Sequence, residues 1–341
     1  MKFLQIIFLL LPFSTIQAQV EDLMKNDSIT WIAEWYADYL LDDFDARDSI
    51  SNNSLGIIKY LNQDDSDFKE NRHFLAERLW KAVEKNEIKV YSDLNLTKIL
   101  SKDVAFSDLK HRHGSKEDSL NYETRDCMSY KWSSIDVQFY RVRQIIYYLP
   151  SKAQFQIKIL AIAPLVDNLV ADIVYKEPLF WFKPEMNLPN ISSDDIIWAQ
   201  KLQTKTSSLD FSKAKILKNA MTDSIIHHFV NSFENKTTIP FWGESQVGNT
   251  LELLTPTQRK THLHPIESWT TLESGREPIT INKEFKIQRI KHLRLFQEWF
   301  WDERLKQLSM HLSKVALMYP IENEDGSLLY HRPIFFRKTD D

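Results

Sequence analysis

The sequence predicts an α+β fold of two tandem similar units, each an antiparallel sheet covered by helices. The main observation is an apolar run that occurs twice, ILAIAPL at 159–165 and VALMYPI at 315–321. Each run is followed by a proline that enters an aromatic segment, Pro178 in the first copy and Pro333 in the second. Amphipathic segments precede both runs in the same order. A pattern that recurs in order within one chain is typical of a duplicated structural unit.

Shorter matches extend the repeat toward the N-terminal side of each run. Residues 29–31 (ITW) open the first unit, and residues 196–198 (IIW) open the second. A helical pattern then leads into EIKVY at 87–91 in the first unit and into TIPFW at 238–242 in the second. The order of these segments supports the duplication.

The two apolar runs end at Pro164 and Pro320, and the repeat can be aligned on these prolines. That alignment makes Val315 the counterpart of Ile159. It also favours a strand over residues 313–319, where the apolar spacing from Leu305 onward fits a helix equally well.

Residues 1–18 read as a secretory signal peptide. Lys2 supplies the positive start, residues 3–13 supply the apolar core, and the segment ends at the small residue Ala18. Cleavage would leave Gln19 as the first residue. The apolar core is shorter than the roughly 20 residues that a membrane-spanning helix needs, which favours cleavage over anchoring. The chain is therefore expected to be exported.

Composition indicates a folded chain that has no disulfide. Of the 341 residues, 43% are hydrophobic and 12% are aromatic, which is typical of a packed core. The single cysteine, Cys127, cannot form an intramolecular disulfide. The net charge of −4 gives no basic excess of the kind that nucleic-acid binding needs. The 6 glycines leave little material for glycine-rich phosphate loops.

The first unit is predicted over residues 19–188. Helices are expected at 27–41, where Ile32, Trp35 and Tyr39 share one helical face, and at 68–86. Residues 101–128 are charged and lack a period, which indicates an excursion over the surface. The strict alternation over 135–163, interrupted by a proline-containing turn, predicts a β-hairpin.

The turn-rich segment NLPNISSD at 187–194 separates the units, so the second unit is predicted over residues 193–341. Helices are expected at 194–203 and 212–234. A long irregular segment is expected at 244–284, followed by sheet over 285–337.

Three histidine pairs could seed a metal site: His111 with His113, His227 with His228, and His262 with His264. Neighbouring positive charge disfavours the first pair, and no HExxH motif or cysteine pair completes a ligand set. Surface imidazoles are the favoured interpretation. No metal and no cofactor are expected.

Motifs for catalysis are incomplete. GESQVG at 243–248 resembles a nucleophile elbow, but that tight turn needs a glycine where Val247 stands. The acidic clusters lack the alternating oxygens and central glycine of an EF-hand; they lie at 42–43, 64–65, 194–195 and 322–325. The chain is therefore predicted not to be an enzyme.

The aromatic segment EWFWD at 298–302 is the most unusual local sequence. Trp299 and Trp301, together with Trp181, could form a partner-binding or ligand-binding surface. Core packing is the favoured interpretation, because each indole buries a large apolar area.

Taken in order, these segments resemble the GldN/PorN family of type IX secretion and gliding motility. Family members begin near a helix with an early tryptophan, matched by Trp31, and continue into an E-I-x-V-Y strand, matched by 87–91. A strand ending I-x-x-I-A-P and an L-F-W strand that reaches P-E follow, matched by 159–164 and 179–185. The order of the motifs over 27–186 carries the resemblance.

The sequence also departs from the family pattern. The I-D-x-R-E-K-x-N segment is replaced by residues 43–51, and the E-D-W strand has a version only in the second unit, at 298–302. A second domain replaces the usual C-terminal segment. The chain is therefore expected to be a divergent relative.

The resemblance implies a structural role in the periplasm. Family proteins assemble with an outer-membrane lipoprotein of the GldK/PorK type into a ring that is coupled to the motor components GldL and GldM. The expected function is a non-catalytic periplasmic subunit that self-associates and supports export of surface proteins. One alternative is a periplasmic carbohydrate or peptidoglycan binding module that uses exposed aromatics. Another is a hydrolase with an unrecognised site.

Overall fold

A computed structural model describes residues 15–40, 74–102, 105, 110–111, 129–130, 133–137, 139–170, 173–184, 196–203, 209–219, 222–244, 251–263, 267–271, 279–323 and 326–339. The helices in these ranges are α1 (Thr15–Lys25), α2 (Phe74–Glu84), α3 (Thr222–Asn235) and α4 (Pro256–Leu263). The strands up to residue 203 are β1 (Trp31–Leu40), β2 (Val90–Tyr91), β3 (Ile99–Leu100), β4 (Lys110–His111), β5 (Ser129–Tyr130), β6 (Phe139–Leu149), β7 (Gln154–Val170), β8 (Ile173–Pro178) and β9 (Ile196–Gln203). The later strands are β10 (Leu209–Asp210), β11 (Lys215–Lys218), β12 (Trp242–Glu244), β13 (Leu251–Leu253), β14 (Glu267–Thr271), β15 (Ile279–Lys283), β16 (His292–Asp302), β17 (Gln307–Glu322) and β18 (Leu328–Lys338).

Two antiparallel sheets form the body of the protein. The first has the strand order β11-β1-β6-β7-β8, and the second has the order β10-β16-β17-β18-β12-β13, with β9 also paired to β16. Smaller ladders join β2 to β3, β4 to β5 and β14 to β15. The predicted α+β class with antiparallel sheets is confirmed.

The inner faces of both sheets share one continuous core with helices α2 and α3. Phe229 of α3 shows how the core is joined. Its ring lies 6.0 Å from Tyr148 and 5.2 Å from Phe155 in the first sheet, and 5.4 Å from Phe335 in the second. The predicted boundary near residues 189–192 therefore does not divide the core. Strand β11, which follows that boundary, is an edge strand of the first sheet.

Two of the predicted helices are wrong. Residues 31–40 of the predicted helix at 27–41 form strand β1, which pairs with β6 along its whole length. Residues 196–203 form strand β9, which pairs with β16. In β1 every second residue from Trp31 to Tyr39 is buried in the core. The tryptophans and tyrosine lie four residues apart, a spacing that fits a helix, whereas the intervening alanines complete a strand alternation.

The other main elements follow the sequence pattern. Helix α2 lies within the predicted 68–86 segment. The predicted helix at 212–234 is wrong in its first part, because Lys215–Lys218 form strand β11 and α3 begins at Thr222. The hairpin predicted over 135–163 is formed by β6 and β7, and the strand predicted over 313–319 lies within β17. Neither Pro164 nor Pro320 ends its strand, since β7 continues to Val170 and β17 to Glu322. Most of the predicted excursion at 101–128 lies outside the described residues.

The central hairpins of the two sheets have the same local geometry. The last ladder pairs are Leu149 with Gln154 and Asp302 with Gln307, so residues 150–153 and 303–306 connect the strands. The last residue of each connection has a positive φ, 44° at Ala153 and 50° at Lys306. The register of each hairpin then shifts at a glutamine, at Gln144 in the first sheet and Gln297 in the second.

The register also matches elsewhere in the two sheets. Trp31 pairs with Tyr148, and Trp198 pairs with Trp301. Tyr91 pairs with Trp181, and Trp242 pairs with Phe336. The second proline of each sequence repeat occupies the same ladder position, because Pro178 pairs with Leu165 and Pro333 pairs with Met318.

The alignment on the first prolines is wrong by three residues. Gln144 pairs with Ile159, and Gln297 pairs with Leu312. The ladder counterpart of Ile159 is therefore Leu312 and not Val315. An error of three residues exchanges the two faces of a strand, because successive side chains point to opposite sides.

Candidate partner-binding cleft

A cleft of about 1210 Å³ lies between elements of the two sheets. One wall comes from the first sheet and from the β2–β3 connection, and the other comes from β10, β16 and β18. The residues that line it are Trp35, Tyr36, Ala37, Asp38, Ser92, Asp93, Leu94, Asn95, Arg141, Pro178, Trp181, Asp210, Lys213, His292, Arg294, Tyr330 and His331. Its volume exceeds that of an ordinary small-molecule pocket, about 300–1,000 Å³.

The cleft reaches the edge of two strands. Tyr330 and His331 are neighbours on β18, and both line the cleft. Successive side chains of a strand point to opposite faces, so two neighbours line one cleft when that cleft meets the strand at its edge. Along residues 328–333, β18 pairs with β17 on one side, and its contact with β12 is at Phe336. Within the described chain, this stretch of β18 has no strand on its outer side.

Strand β1 meets the cleft in the same way. Residues 35–38 all line it. The ladder between β1 and β11 covers Ile32, Ala33 and Glu34, so β6 is the partner strand of residues 35–38 among the described residues.

Arg141 and Asp38 form an ion pair on the first wall. The guanidinium donates from Nε and Nη2 to the two carboxylate oxygens, and both distances are 2.8 Å. The hydrogen bonds that Arg141 donates to Asp38 raise the pKa of Arg141. This two-point geometry holds β1 to β6 at the rim of the cleft.

The Asp93 carboxylate is hydrogen-bonded within its own loop. Its carboxylate accepts hydrogen bonds from the backbone N–H groups of Asn95, Thr97 and Lys98, at 2.7 to 3.3 Å. Burial acts to raise the pKa of Asp93, but these bonds outweigh burial and the pKa is lowered. The carboxylate therefore fixes the β2–β3 connection above the sheet.

The Asp210 carboxylate is hydrogen-bonded to a nearby residue, Ser212. Its Oδ1 accepts hydrogen bonds from the backbone N–H and the hydroxyl of Ser212, at 2.9 and 2.6 Å. Burial acts to raise its pKa, whereas the bonds from Ser212 and the charges of His292 and Lys213 lower it. Lys213 lies 3.9 Å from the second carboxylate oxygen, with most of its side chain in solvent.

Two histidines and an arginine occupy the second wall. The rings of His292 and His331 lie 4.2 Å apart, and burial lowers the pKa of both imidazoles. Burial also lowers the pKa of Arg294, while the charge of Glu244 raises it. The Nε of Arg294 is buried and has no hydrogen-bond partner among the described residues.

The structure separates the three tryptophans for which a shared surface was the alternative to core packing. Trp299 and Trp301 are 0% exposed and belong to the core. Trp299 packs edge-on against Tyr39 and Tyr140, and the Trp301 indole donates to Glu303. Neither indole is available at the surface to a ligand or partner. Trp181 is 6% exposed and lines the cleft.

The predicted cleavage site lies within helix α1. Ala18 is exposed, whereas Ile16 and Val20 are buried against the outer face of the first sheet. Gln19 is partly exposed between them.

Two predicted histidine candidates have structural partners. The Tyr148 hydroxyl lies 2.8 Å from Nδ1 of His228, and His262 contacts the Ile334 carbonyl. Among the residues that the structure describes, no group of three or more His, Cys, Asp and Glu side chains could hold a metal ion. Residues 245–248 of the elbow-like segment, Cys127, His113 and His264 lie outside the described residues.

Sequence reasoning did not find the cleft, although one signal was present. Residues 173–178 read IVYKEP and residues 328–333 read LLYHRP. Each has two aliphatic residues, a tyrosine, a basic residue, a charged residue and the proline that the ladders place at the same position. This second repeat lies in the edge strand β8 and in the part of β18 that pairs with β17 alone among the described strands.

A family model described as gliding motility associated protein GldN matches residues 57–211. This match supports membership of the GldN family through that segment. The predicted resemblance is confirmed. The GldN segment runs past the predicted boundary into β9 and β10, so it includes strands that pair in the second sheet.

Curated proteins gave no match. The family that residues 57–211 match is associated with gliding motility. In the part of the chain that the structure describes, no helix has the length and apolar character to cross a membrane.

Proposed function

We propose that this GldN-family protein is a non-catalytic structural subunit of a type IX secretion and gliding motility complex. The observation that carries the proposal is the family match over residues 57–211. The proposed location is the periplasm, reached through cleavage of the signal peptide between Ala18 and Gln19.

The proposed partners are those that the resemblance implies. They are an outer-membrane lipoprotein of the GldK/PorK type, motor components of the GldL and GldM type, and further copies of the chain itself. Through these contacts the subunit supports the export of surface proteins.

We also infer that the two halves are repeats of one unit that now share a core. The matched hairpins, the aromatic ladder pairs at Trp31 and Trp198, and the matching ladder positions of Pro178 and Pro333 support this. Each half also contacts the hairpin of the other. Arg78 of α2 donates to Glu303 in the second hairpin, and Lys236, just after α3, donates to the Pro150 carbonyl in the first. Reciprocal contacts of this kind are typical of a two-fold interface.

The buried polar groups support a structural role. Arg259 is 3% exposed and donates to the carbonyls of Leu254, Phe233, Lys236 and Ile239. Arg143 donates to Glu34 at 2.6 Å and to the Leu94 carbonyl and the Asn95 side chain. These charged groups hold loops and a helix end in place.

Gene deletion tests the proposed function. We expect the deletion strain to lose surface spreading and to retain cargo proteins that are normally exported. The intact gene should restore both activities, whereas a copy that lacks residues 2–18 should restore neither. Normal spreading and normal export in the deletion strain would contradict the proposal.

A further inference from the structure

We propose that the cleft between the two sheets binds an extended, acidic peptide segment of a partner protein, which pairs with the edge of β18. The proposal rests on the proposed function, because it names the kind of partner segment that such a structural subunit would hold. Three observations on the cleft support it: its size and edge geometry, its charge, and its apolar rim.

The shape of the cleft fits a strand. Residues 328–333 of β18 carry a row of backbone groups on an edge that no other described strand covers. An extended peptide can add to such an edge through main-chain hydrogen bonds, while alternate side chains enter the adjoining space. The 1210 Å³ cleft begins at this edge, at Tyr330 and His331.

The charge of the cleft favours an acidic segment. Its three carboxylates already have partners: Asp38 binds Arg141, Asp93 binds its own loop and Asp210 binds Ser212. Two cationic groups keep donor capacity that a ligand can use. Arg294 has a buried Nε with no partner among the described residues. Lys213 lies 3.9 Å from Oδ2 of Asp210, but 79% of its side chain is exposed. A guanidinium binds carboxylates in two-point geometry.

Two carboxylates also act on this wall. Asp210 and Glu244 favour the charged forms of His292 and Arg294 respectively. Asp210 is satisfied by Ser212, and Glu244 is exposed outside the cleft lining. Neither removes the cationic character of the wall around Arg294 and Lys213.

Exposed apolar side chains of β18 lie beside the cleft, at Tyr330, which lines it, and at the two residues before it. Leu328, Leu329 and Tyr330 are 55%, 54% and 55% exposed. A strand that alternates acidic and apolar residues would direct its carboxylates to one face and its apolar side chains to the other. Such a segment matches both the cationic wall and these exposed side chains.

Fluorescence anisotropy on the purified full chain tests the proposal. The probe is a fluorescein-labelled peptide of about eight residues, an ordinary strand length, that alternates glutamate with valine. We expect binding at low ionic strength that weakens as salt screens the charges. A peptide that alternates lysine with valine should not bind. A glutamate-valine peptide methylated on alternate backbone nitrogens should also fail to bind, because it cannot donate to a strand edge.

Matched variants locate the site. Arg294→Gln and Lys213→Gln should each weaken binding by about tenfold, the size of one charge-assisted contact. Arg304→Gln removes a positive charge outside the cleft lining and should leave binding unchanged. Because Arg294 is partly buried, its variant is first checked for the thermal unfolding midpoint of the parent chain, and the exposed Lys213 gives an independent reading.

Several results would overturn the proposal. They are no binding of the glutamate-valine peptide at low salt, equal binding by both cleft variants and the parent, or undiminished binding of the methylated peptide. Displacement of the probe by an acidic oligosaccharide, with no effect of methylation, would show that a glycan and not a peptide strand occupies the cleft. Each of these results leaves the deletion experiment on the proposed function unaffected.

Discussion

Gln297 donates a hydrogen bond from its Nε2 to Oε1 of Gln144, at 3.0 Å, where the two sheets meet in the core. Both side chains are buried, and each stands at the register shift of its own hairpin. The pair is extended on both sides, since Gln144 donates to the Tyr39 hydroxyl at 3.4 Å and Trp299 donates to Oε1 of Gln297 at 3.1 Å. The glutamines at the two register shifts therefore bind each other directly.

Breaking this pair should destabilise the protein. Gln144→Leu leaves the Nε2 of Gln297 buried without that partner, so we expect the free energy of unfolding to fall by about 1–3 kcal/mol. Gln297→Leu should have a similar effect. The double variant should cost less than the sum of the two, because no buried amide then remains unpaired. Urea unfolding of the four proteins measures the coupling, and strict additivity would contradict the direct contact.

Arg259 should be required for the end of helix α3. Its guanidinium donates to carbonyls at and beyond that end, where the helix has unsatisfied acceptors. Arg259→Gln should lower the free energy of unfolding by roughly 2–3 kcal/mol, since hydrogen bonds of a charged donor are lost. Lys260→Gln, at the exposed neighbour, should change it by less than about 0.5 kcal/mol. Equal effects in the two variants would refute this role of Arg259.

The tryptophans of strand β16 should affect stability, because both are fully buried. Trp299→Ala or Trp301→Ala should cost about 3–5 kcal/mol, the usual cost of emptying a core aromatic site. Tyr330→Ala, at an exposed aromatic, should change stability by less than about 0.5 kcal/mol. Chemical denaturation checks the comparison. A tryptophan variant as stable as the parent would show that its indole lies at the surface.

The histidine pair on the cleft wall should make stability depend on pH. Burial lowers the pKa of His292 and of His331, and their mutual charge lowers that of His331 further. Asp210 acts in the opposite direction on both, whereas Lys213 and Arg294 add to the lowering for one imidazole each. The unfolded chain therefore takes up protons first as the pH falls, near the ordinary histidine pKa of about 6.5.

The direction of this pH dependence of stability follows from proton linkage. The stability that the neutral pair supports is present above the ordinary pKa and is lost as the pH falls through the lowered folded values. We expect urea midpoints to drop from neutral to mildly acidic pH, and His331→Gln should flatten that drop. His227→Gln, at an exposed position of α3, serves as the control. A parent midpoint that stays constant, or rises toward acidic pH, would contradict the prediction.

The local sequence pattern was sufficient to predict the central hairpin of the first sheet. The hairpin of β6 and β7 was predictable because its alternation is strict and a proline-containing turn interrupts it. Strand β1 was not, since the large residues Trp31, Trp35 and Tyr39 recur every four positions. The alternation becomes visible only when Ala33 and Ala37 are counted as core residues. Tertiary pairing with β6 decides between the two patterns.

The cleft could not be predicted from local sequence because its walls come from distant segments. Asp38, Arg141 and Arg294 meet there only through the order of the strands in two sheets. The core that the two sheets share could not be predicted for the same reason, because distant segments form it. No local signal in the sequence shows that α3 packs between both sheets.

Chemical crosslinking of the native cell envelope, followed by mass spectrometry, tests the central claim most directly. If the protein is a structural subunit of a motility and secretion complex, its lysines should crosslink to an outer-membrane lipoprotein and to a second copy of the chain. A protein recovered only as an uncrosslinked monomer, under conditions that crosslink known envelope complexes, would contradict the claim.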